Sequence, residues 1–254
     1  MSGHSKWAQI KRQKGAADAK RGQLFTKLAR EIIVAVREGG SNPEANFRLR
    51  LAVQKARDSN MPLDNIDRAI KRGSGQAEGA SLAEMVLEGY GPSGAAILVS
   101  ALSDNRNRTL QDVRNIFTRN GGNLGESGCV AWLFDNRGMV TVDAKEQDAE
   151  ALALEAIDAG AEDVKVEDNY VEIYTRPEEL EKVREALKQK GIPVASAELS
   201  RVPKTVVQLD GKAALQTLRL LDKLEELDEV QSVSSNADFP DSVLEKYQSL
   251  SLTR

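Results

Sequence analysis

Basic side chains are concentrated at the start of the chain, where they could bind the phosphates of a nucleic acid. The first 30 residues contain eight Lys/Arg residues and a single acidic residue, Asp18. Ammonium and guanidinium groups form charge-assisted hydrogen bonds with phosphate oxygens, and such contacts require no particular base sequence. The cluster therefore predicts contact with DNA or RNA. The alternative is a basic helix face that is solvated and binds nothing.

A second candidate phosphate contact lies in the polar segment 104–109, which is expected to end a strand and begin a helix. If the segment is extended, Arg106 and Arg108 point the same way and could bind an anion at the helix N-terminus. The alternative is structural: Asn107 or Thr109 caps the helix, and Asp104 pairs with an arginine. With the basic cluster, the predicted nucleic-acid-binding residues are Lys6, Lys11, Arg12, Lys14, Lys20, Arg21, Lys27, Arg106 and Arg108.

The residue types that most catalytic and metal sites need are scarce. The chain has one cysteine, Cys129, and one histidine, His4, which excludes an internal disulfide and a Cys- or His-rich metal cage. It has no phosphate-binding loop of the Gly-x-x-x-x-Gly-Lys-Ser/Thr type, and the glycine-rich stretch 121–128 is interpreted as a long turn. Few aromatic residues are present, so stacking on bases is not expected. We predict no enzymatic activity, no cofactor, no metal and no small-molecule substrate.

Charge divides the chain into a basic first part and an acidic remainder. The chain has 254 residues and a formal net charge of −4. Residues 1–72 carry a net charge of +9, and the remainder carries −13. A negative remainder disfavours non-specific adsorption to nucleic acid, so the basic part is the expected contact. No apolar run reaches the ~20 residues of a membrane span, and we expect a cytoplasmic protein without membrane contact.

Hydrophobic periodicity predicts an α+β protein: an N-terminal three-helix bundle followed by two α+β domains. Apolar residues at helical spacing between residues 23 and 72 predict the bundle, with a basic arm before it. A β-α-β-β-α-β order in the third quarter of the chain is typical of a ferredoxin-like domain, which is predicted to be inserted in the other α+β domain. The predicted boundaries are 1–73 for arm and bundle, 74–80 for a linker, 81–135 with 204–240 for the discontinuous middle α/β domain, 136–203 for the ferredoxin-like insertion, and 241–254 for a C-terminal tail.

Three local predictions follow from the same patterns. Pro43 is expected in the first turn of the second helix. Residues 129–134 form an apolar run that predicts a buried strand, with Cys129 in the core. Residues 205–209 and 230–234 predict two further strands, joined by a helix, that complete the middle domain.

Several motifs of the chain resemble those of the YebC/PmpR family, in the expected order and spacing from Ser2 to about Asn236. They are Gly3-His4-Ser5-Lys6-Trp7, Ala16-Ala17-Asp18-Ala19-Lys20-Arg21-Gly22, Phe25-Thr26-Lys27, Asn60-Met61-Pro62, Glu88-Gly89-Tyr90-Gly91-Pro92, Asp104-Asn105-Arg106-Asn107-Arg108-Thr109 and Gly121-Gly122-Asn123-Leu124-Gly125. The resemblance implies the same three domains and a DNA-binding transcriptional regulator in the bacterial cytoplasm. It also implies an alternative, because the family's mitochondrial translational activator of cytochrome c oxidase acts on translation and bacterial relatives are linked to ribosomes stalled on proline-rich sequences.

Two functions therefore stay open at the level of sequence. A DNA-binding regulator fits the basic arm, but the third helix of the bundle offers only Arg68, Lys71 and Arg72 to read a groove. A ribosome-associated factor that binds ribosomal RNA fits a basic arm on a rigid body better on physical grounds, whereas the description of the family favours the DNA-binding regulator. The sequence alone does not fix the oligomeric state or the target sequence.

Overall fold

The computed structural model describes residues 18–75, 82–144, 148–167 and 170–252. The helices are α1 (Asp18–Gly39), α2 (Phe47–Asp58), α3 (Leu63–Gly73), α4 (Arg106–Arg119), α5 (Ala149–Asp158), α6 (Leu180–Gln189), α7 (Gly211–Glu225) and α8 (Asp241–Leu252). The strands are β1 (Ala83–Tyr90), β2 (Ala96–Ser103), β3 (Asn123–Leu124), β4 (Phe134–Asp143), β5 (Asp163–Glu167), β6 (Tyr170–Thr175), β7 (Val194–Pro203), β8 (Val207–Gln208), β9 (Val230–Ser235) and β10 (Ala237–Asp238). Residues 134–202 form one compact unit, and the described residues before and after them form a second.

Helices α1, α2 and α3 form the predicted bundle around a core of aliphatic side chains. Leu28 and Ile32 of α1 pack with Leu49 of α2 and Ile66 of α3, and all four are almost fully buried. Helix α1 begins earlier than the predicted bundle, at Asp18, and it continues through Gly22. One glycine costs only ~1 kcal/mol relative to alanine, and the helix-forming residues around it offset that cost.

The second helix begins later than predicted, because an asparagine rather than Pro43 starts it. The Oδ1 atom of Asn46 accepts the amide of Leu49 at 3.0 Å and caps α2. Its Nδ2 atom donates to the carbonyls of Ala35 and Gly40 at 2.7 and 2.8 Å, at the end of α1. This buried side chain therefore fixes the turn between the two helices, and Pro43 lies in the turn.

The middle domain is built on a four-stranded antiparallel sheet with the order β3-β1-β2-β9. Helices α4 and α7 pack on one face, where Phe117 and Leu218 lie in the core. Helix α8 packs on α7, and Tyr247 donates its hydroxyl to Asp222. Burial raises the pKa of Tyr247, and the Asp222 carboxylate raises it further. The predicted C-terminal tail thus contains a helix that adds Val243 and Leu244 to the same core.

The strand predicted at 205–209 does not complete this sheet. Only β8 forms there, and it pairs in parallel with β10 in a separate two-stranded sheet. The strand predicted at 230–234 does join the sheet, as β9, antiparallel to β2. The prediction for residues 205–209 was wrong because sequence pattern indicates strands and not their partners.

The buried strand predicted at 129–134 is also wrong. Residues Ala131–Leu133 form a short 3-10 helix, and β4 begins only at Phe134. Trp132 is 65% exposed, and Cys129 is only partly buried. The apolar composition suited a strand, but long-range hydrogen bonds to the backbone hold this stretch as a loop.

The unit of residues 134–202 has the sheet order β5-β6-β4-β7. With helices after its first and third strands, this order is that of a ferredoxin-like fold. Strand β6 pairs antiparallel with both β4 and β5, as the split β-α-β-β-α-β motif requires. The fold class is therefore confirmed: a helical bundle followed by two α+β domains, with the ferredoxin-like one inserted in the other. Within the described part of the chain, no helix is long and apolar enough to cross a membrane.

Candidate nucleic-acid interface

Much of the predicted basic cluster lies before the part of the chain that the structure describes. Lys6, Lys11, Arg12 and Lys14 are outside the described residues. Lys20 is placed only as backbone in the first turn of α1, and Arg21 follows it with an exposed side chain. These residues therefore stay predictions as phosphate contacts.

Lys27 has a structural partner within the protein. Its ammonium is half-buried and donates a hydrogen bond to the carbonyl of Glu225, the last residue of α7. Gln23 Nε2 lies 3.5 Å from the carbonyl of Glu226, and Arg30 lies 3.8 Å from Glu229. The last carbonyls of a helix lack partners and carry partial negative charge, so a cation there stabilises the contact. Lys27 could reach a phosphate only by giving up this bond.

In the segment 104–109, the structure shows the structural alternative, a helix cap together with an ion pair, but the capping residue is not one of the two predicted. Asn105, rather than Asn107 or Thr109, caps α4, because its Oδ1 accepts the amide of Arg108 at 3.1 Å. Arg108 forms ion pairs with Asp104 at 2.9 Å and with Glu229 at 3.1 Å. Thr109 is buried and its hydroxyl lies 2.8 Å from that of Ser103. The guanidinium of Arg108 is therefore already neutralised by two carboxylates.

Arg106 remains available to an anion. It is the first residue of α4, it is exposed, and among the described residues it has no hydrogen-bond or ion-pair partner. Because both arginines are helical, residues 106 and 108 point about 200° apart, and the expected parallel orientation is wrong.

Two further arginines of α4 were missed by sequence reasoning. Arg114 and Arg119 are exposed, and neither guanidinium group has a partner among the residues described. With Arg106 and Arg108, they give α4 four arginines against one acidic residue, Asp112. The available signal was this local excess of arginine in an otherwise acidic region.

The bundle contributes a few more available cations, while others have partners. Arg48 bonds to Glu38 and Glu84; burial lowers the pKa of Arg48, but the two carboxylates outweigh this and raise it overall. Arg68 bonds to Asn65 and to the carbonyl of Asp64. Three exposed cations have no partner in the described chain: Arg57, Lys71 and Arg72.

A buried glutamate organises the loop that follows β3. The carboxylate of Glu88, only 4% exposed, accepts the amides of Gly128 at 2.7 Å, Val130 at 2.8 Å and Ala131 at 2.7 Å. Burial raises the pKa of Glu88, but the three backbone hydrogen bonds outweigh it and hold the pKa below its ordinary value. The carboxylate is therefore ionised at neutral pH and works as a structural acceptor.

The same loop argues against nucleophilic chemistry at the single cysteine. Burial raises the pKa of Cys129, and the charge of Glu88 raises it further. A thiol with a raised pKa is largely protonated at neutral pH and is a poor nucleophile. Among the residues described, no group of three His, Cys, Asp or Glu side chains could hold a metal ion.

The fold defines a class of α+β protein with three parts: a helical bundle, a discontinuous α/β domain and an inserted ferredoxin-like domain. The chain belongs to the TACO1/YebC family: a family model described as "TACO1/YebC protein N-terminal domain" matches residues 5–76, and "TACO1/YebC second and third domain" matches residues 82–237.

Full-length relatives agree with this assignment. A protein of Dehalococcoides mccartyi is 60% identical over 249 residues, covering 98% of this chain and 99% of its own. A protein of Chloroflexus aggregans is 54% identical over 252 residues, covering 98% and 100%. Both are named "Probable transcriptional regulatory protein", so the family includes regulators by name. The crystal structure of a conserved hypothetical protein from Aquifex aeolicus has a TM-score of 0.82 and 50% identity, covering 88% of this chain and 93% of that one.

Proposed function

We propose that the protein is a nucleic-acid-binding regulator of gene expression that acts in the cytoplasm and catalyses no reaction. One observation carries the proposal: the first 72 residues have a net charge of +9 and the remainder −13. A separation of this size favours a polyanionic partner for the basic part. The exposed cations of the bundle and of α4 that lack partners within the described chain are consistent with it.

DNA is the first target that we propose, with contacts mainly to phosphates. The names of the relatives support a transcriptional role. Contacts to phosphates position a protein on the duplex, whereas sequence is read from base edges or from DNA shape. Selectivity for a promoter would then come from the shape of the DNA.

Ribosomal RNA is the second candidate, and one observation favours it. A groove-reading helix needs free side chains along one face, but in α3 the guanidinium of Arg68 is bonded to Asn65 and to the Asp64 carbonyl. Of the three basic residues of this helix, only Lys71 and Arg72 then have side chains available to read a groove. A protein that holds phosphates without reading a groove fits a ribosome-associated translation factor.

Sedimentation of the protein through sucrose with cell lysate tests both targets. The variant to compare has five cations changed to glutamine: Lys11, Arg12, Lys14, Lys20 and Arg21. A matched control changes five exposed cations of the inserted unit: Arg176, Lys182, Lys188, Lys190 and Arg201. Migration with ribosomal particles that only the first variant loses supports ribosomal RNA. Sequence-selective promoter protection without migration supports DNA, and failure of the parental protein in both assays contradicts the proposal.

A further inference from the structure

Two exposed aromatic rings meet at one backbone carbonyl on the surface of the middle domain. Trp132 is 65% exposed and Tyr90 is 39% exposed. The indole Nε1 of Trp132 donates to the carbonyl of Cys129 at 3.1 Å, and the hydroxyl of Tyr90 donates to the same oxygen at 3.0 Å. The polar ends of both rings are thus satisfied within the protein, while Trp132 remains largely open to solvent and Tyr90 partly so. We call this pair the aromatic platform.

The backbone around the platform is fixed from both sides. Before Trp132, the Glu88 carboxylate accepts three amides, including that of Ala131. After it, the amide of Lys204 donates to the carbonyl of Leu133 at 2.9 Å, and the Lys204 ammonium donates to the carbonyl of Trp132 at 3.0 Å. A ring held in this way loses little conformational freedom when it binds a partner, so the surface is prepared for binding.

The size and surroundings of the platform favour a small planar occupant. The preceding loop residues Glu126, Ser127 and Gly128 are exposed, and only Gly128 is apolar among them. A stable protein interface buries roughly 800 Å² on each partner, far more than two rings provide. A nucleic-acid base matches the area of an indole ring, and every base has a π-face that stacks on an aromatic side chain. The ammonium of Lys204, which donates to the backbone carbonyl of Trp132, places one positive charge near this residue, and a positive charge there suits a phosphodiester.

We propose that Trp132 and Tyr90 stack on an unpaired base of the bound nucleic acid, so that the protein prefers single-stranded or looped segments to a closed duplex. This inference rests on the proposed function and deepens its second candidate, ribosomal RNA, because unpaired bases in loops are the usual target of sequence recognition in RNA. The low aromatic content of the chain argued against stacking, but two well-placed rings suffice for one base. In a duplex, the bases are already stacked on each other and their faces are not accessible.

Tryptophan fluorescence gives a direct readout, because the chain has only two tryptophans, Trp7 and Trp132. In a Trp7→Phe variant, the emission comes from Trp132 alone. We expect a single-stranded 12-nucleotide uridine oligonucleotide to quench this emission on binding. An oligonucleotide with the same phosphates but abasic sugars is expected to bind without quenching. Binding of both with unchanged emission would contradict the proposal.

Affinity measurements on full-length variants complete the test. Trp132→Ala is expected to weaken binding of the uridine oligonucleotide about tenfold and to leave binding of the abasic oligonucleotide unchanged. Leu154→Ala, at a residue 66% exposed in the inserted unit, is the matched control and is expected to change neither. Tyr90→Phe keeps the ring and is expected to bind nearly as the parental protein does.

The result can separate failure of the platform from failure of the proposed function. If Trp132→Ala binds the uridine oligonucleotide as the parental protein does, and neutralising the basic arm still abolishes binding, the platform proposal is wrong and nucleic-acid binding stands. If the parental protein binds neither these oligonucleotides nor duplex DNA nor a ribosomal RNA fragment at low salt, the proposed function itself is wrong. If Trp132→Ala changes only self-association in sedimentation equilibrium, the surface is a protein interface and the platform proposal is wrong.

Discussion

At the scale of single residues, Glu88 shows how one buried carboxylate fixes a loop that the sequence did not reveal. Its three partners, Gly128, Val130 and Ala131, lie 40 to 43 positions further along the chain. The sequence shows only an acidic residue in a strand and an apolar run that suits another strand. Pairings over such separations leave no local pattern, and therefore the loop and the exposure of Trp132 could not be predicted.

Replacing the Glu88 carboxylate is expected to destabilise the protein in a pH-dependent way. Glu88→Gln presents an amide NH₂ to backbone donors, and hydrogen bonds to charged groups contribute about 1.5–3 kcal/mol, so we expect a loss of about 2–3 kcal/mol at pH 7. Because folding lowers the pKa of Glu88, its stabilisation is complete above the ordinary value of 4.5 and is lost as the pH falls through the folded-state pKa.

Urea denaturation at pH 7 and at pH 3 measures this effect. The difference in unfolding free energy between the parental protein and Glu88→Gln is expected to shrink at the lower pH. Glu126→Gln is the matched control, since Glu126 lies exposed in the same loop and its carboxylate has no hydrogen-bond partner among the described residues. An equal loss in both variants, or a loss independent of pH, would show that the carboxylate of Glu88 does not hold the loop.

Arg106 and Arg108 also show which features of the site follow from neighbouring residues and which depend on residues far along the chain. Residue type and spacing indicated Arg106 and Arg108 from the sequence. The ion pair of Arg108 with Glu229, 121 positions away, could not be predicted. It neutralises Arg108, whereas Arg106 remains available to an anion. Local composition also contained Arg114 and Arg119, and counting charge over the whole helix would have found them.

At the scale of elements, periodicity predicted most helices and strands and failed where partners had to be chosen. The β-α-β-β-α-β order of the inserted domain was confirmed because its elements are long enough to carry a periodic pattern, and the known motif then supplies the pairing of β6 with β4 and β5. The pairing of β8 with β10 was not predicted, because two-residue strands carry almost no pattern. Close approach between elements is likewise invisible in the sequence, and Gly89 of β1 is an example.

A side chain at Gly89 is expected to separate β1 from its neighbours. A Cβ atom there would lie 2.6 Å from the carbonyl oxygen of Asn123 in β3 and 2.7 Å from Cε1 of Phe117 in α4. We expect Gly89→Ala to lower the unfolding free energy by about 1–3 kcal/mol, as overpacking of a core does. Thermal or urea unfolding followed by circular dichroism measures it.

Gly22→Ala is the matched control for this substitution. A Cβ atom at Gly22 meets nothing within 4 Å, so the change should stabilise α1 slightly, by up to about 1 kcal/mol. Should Gly89→Ala prove as stable as the parental protein, the close packing of β1 against α4 and β3 would be wrong.

At the scale of the whole molecule, positive and negative charge are separated along the chain. The basic first part is expected to hold phosphates, and the acidic remainder is expected to keep the protein from adsorbing to nucleic acid elsewhere. This could be predicted from composition alone, since counting charges needs no structure. The structure adds that Lys27 and Arg30 dock α1 at the end of α7, which leaves phosphate contacts to the remaining cations.

The salt dependence of binding measures how many phosphates the basic part contacts. Each phosphate contact contributes about −0.7 to −0.9 to the slope of log K against log salt concentration. Neutralising Lys11, Arg12, Lys14, Lys20 and Arg21 together is therefore expected to reduce that slope by about 2 to 4 in magnitude. Fluorescence anisotropy with labelled duplex DNA and with a ribosomal RNA fragment, between low and physiological salt, provides both slopes.

The most direct test of the central claim is the affinity of this five-site variant for the same two probes at low ionic strength. We predict that binding to both is strongly weakened, while the control with Arg176, Lys182, Lys188, Lys190 and Arg201 neutralised binds as the parental protein does. Undiminished affinity of the five-site variant for both probes would contradict the account.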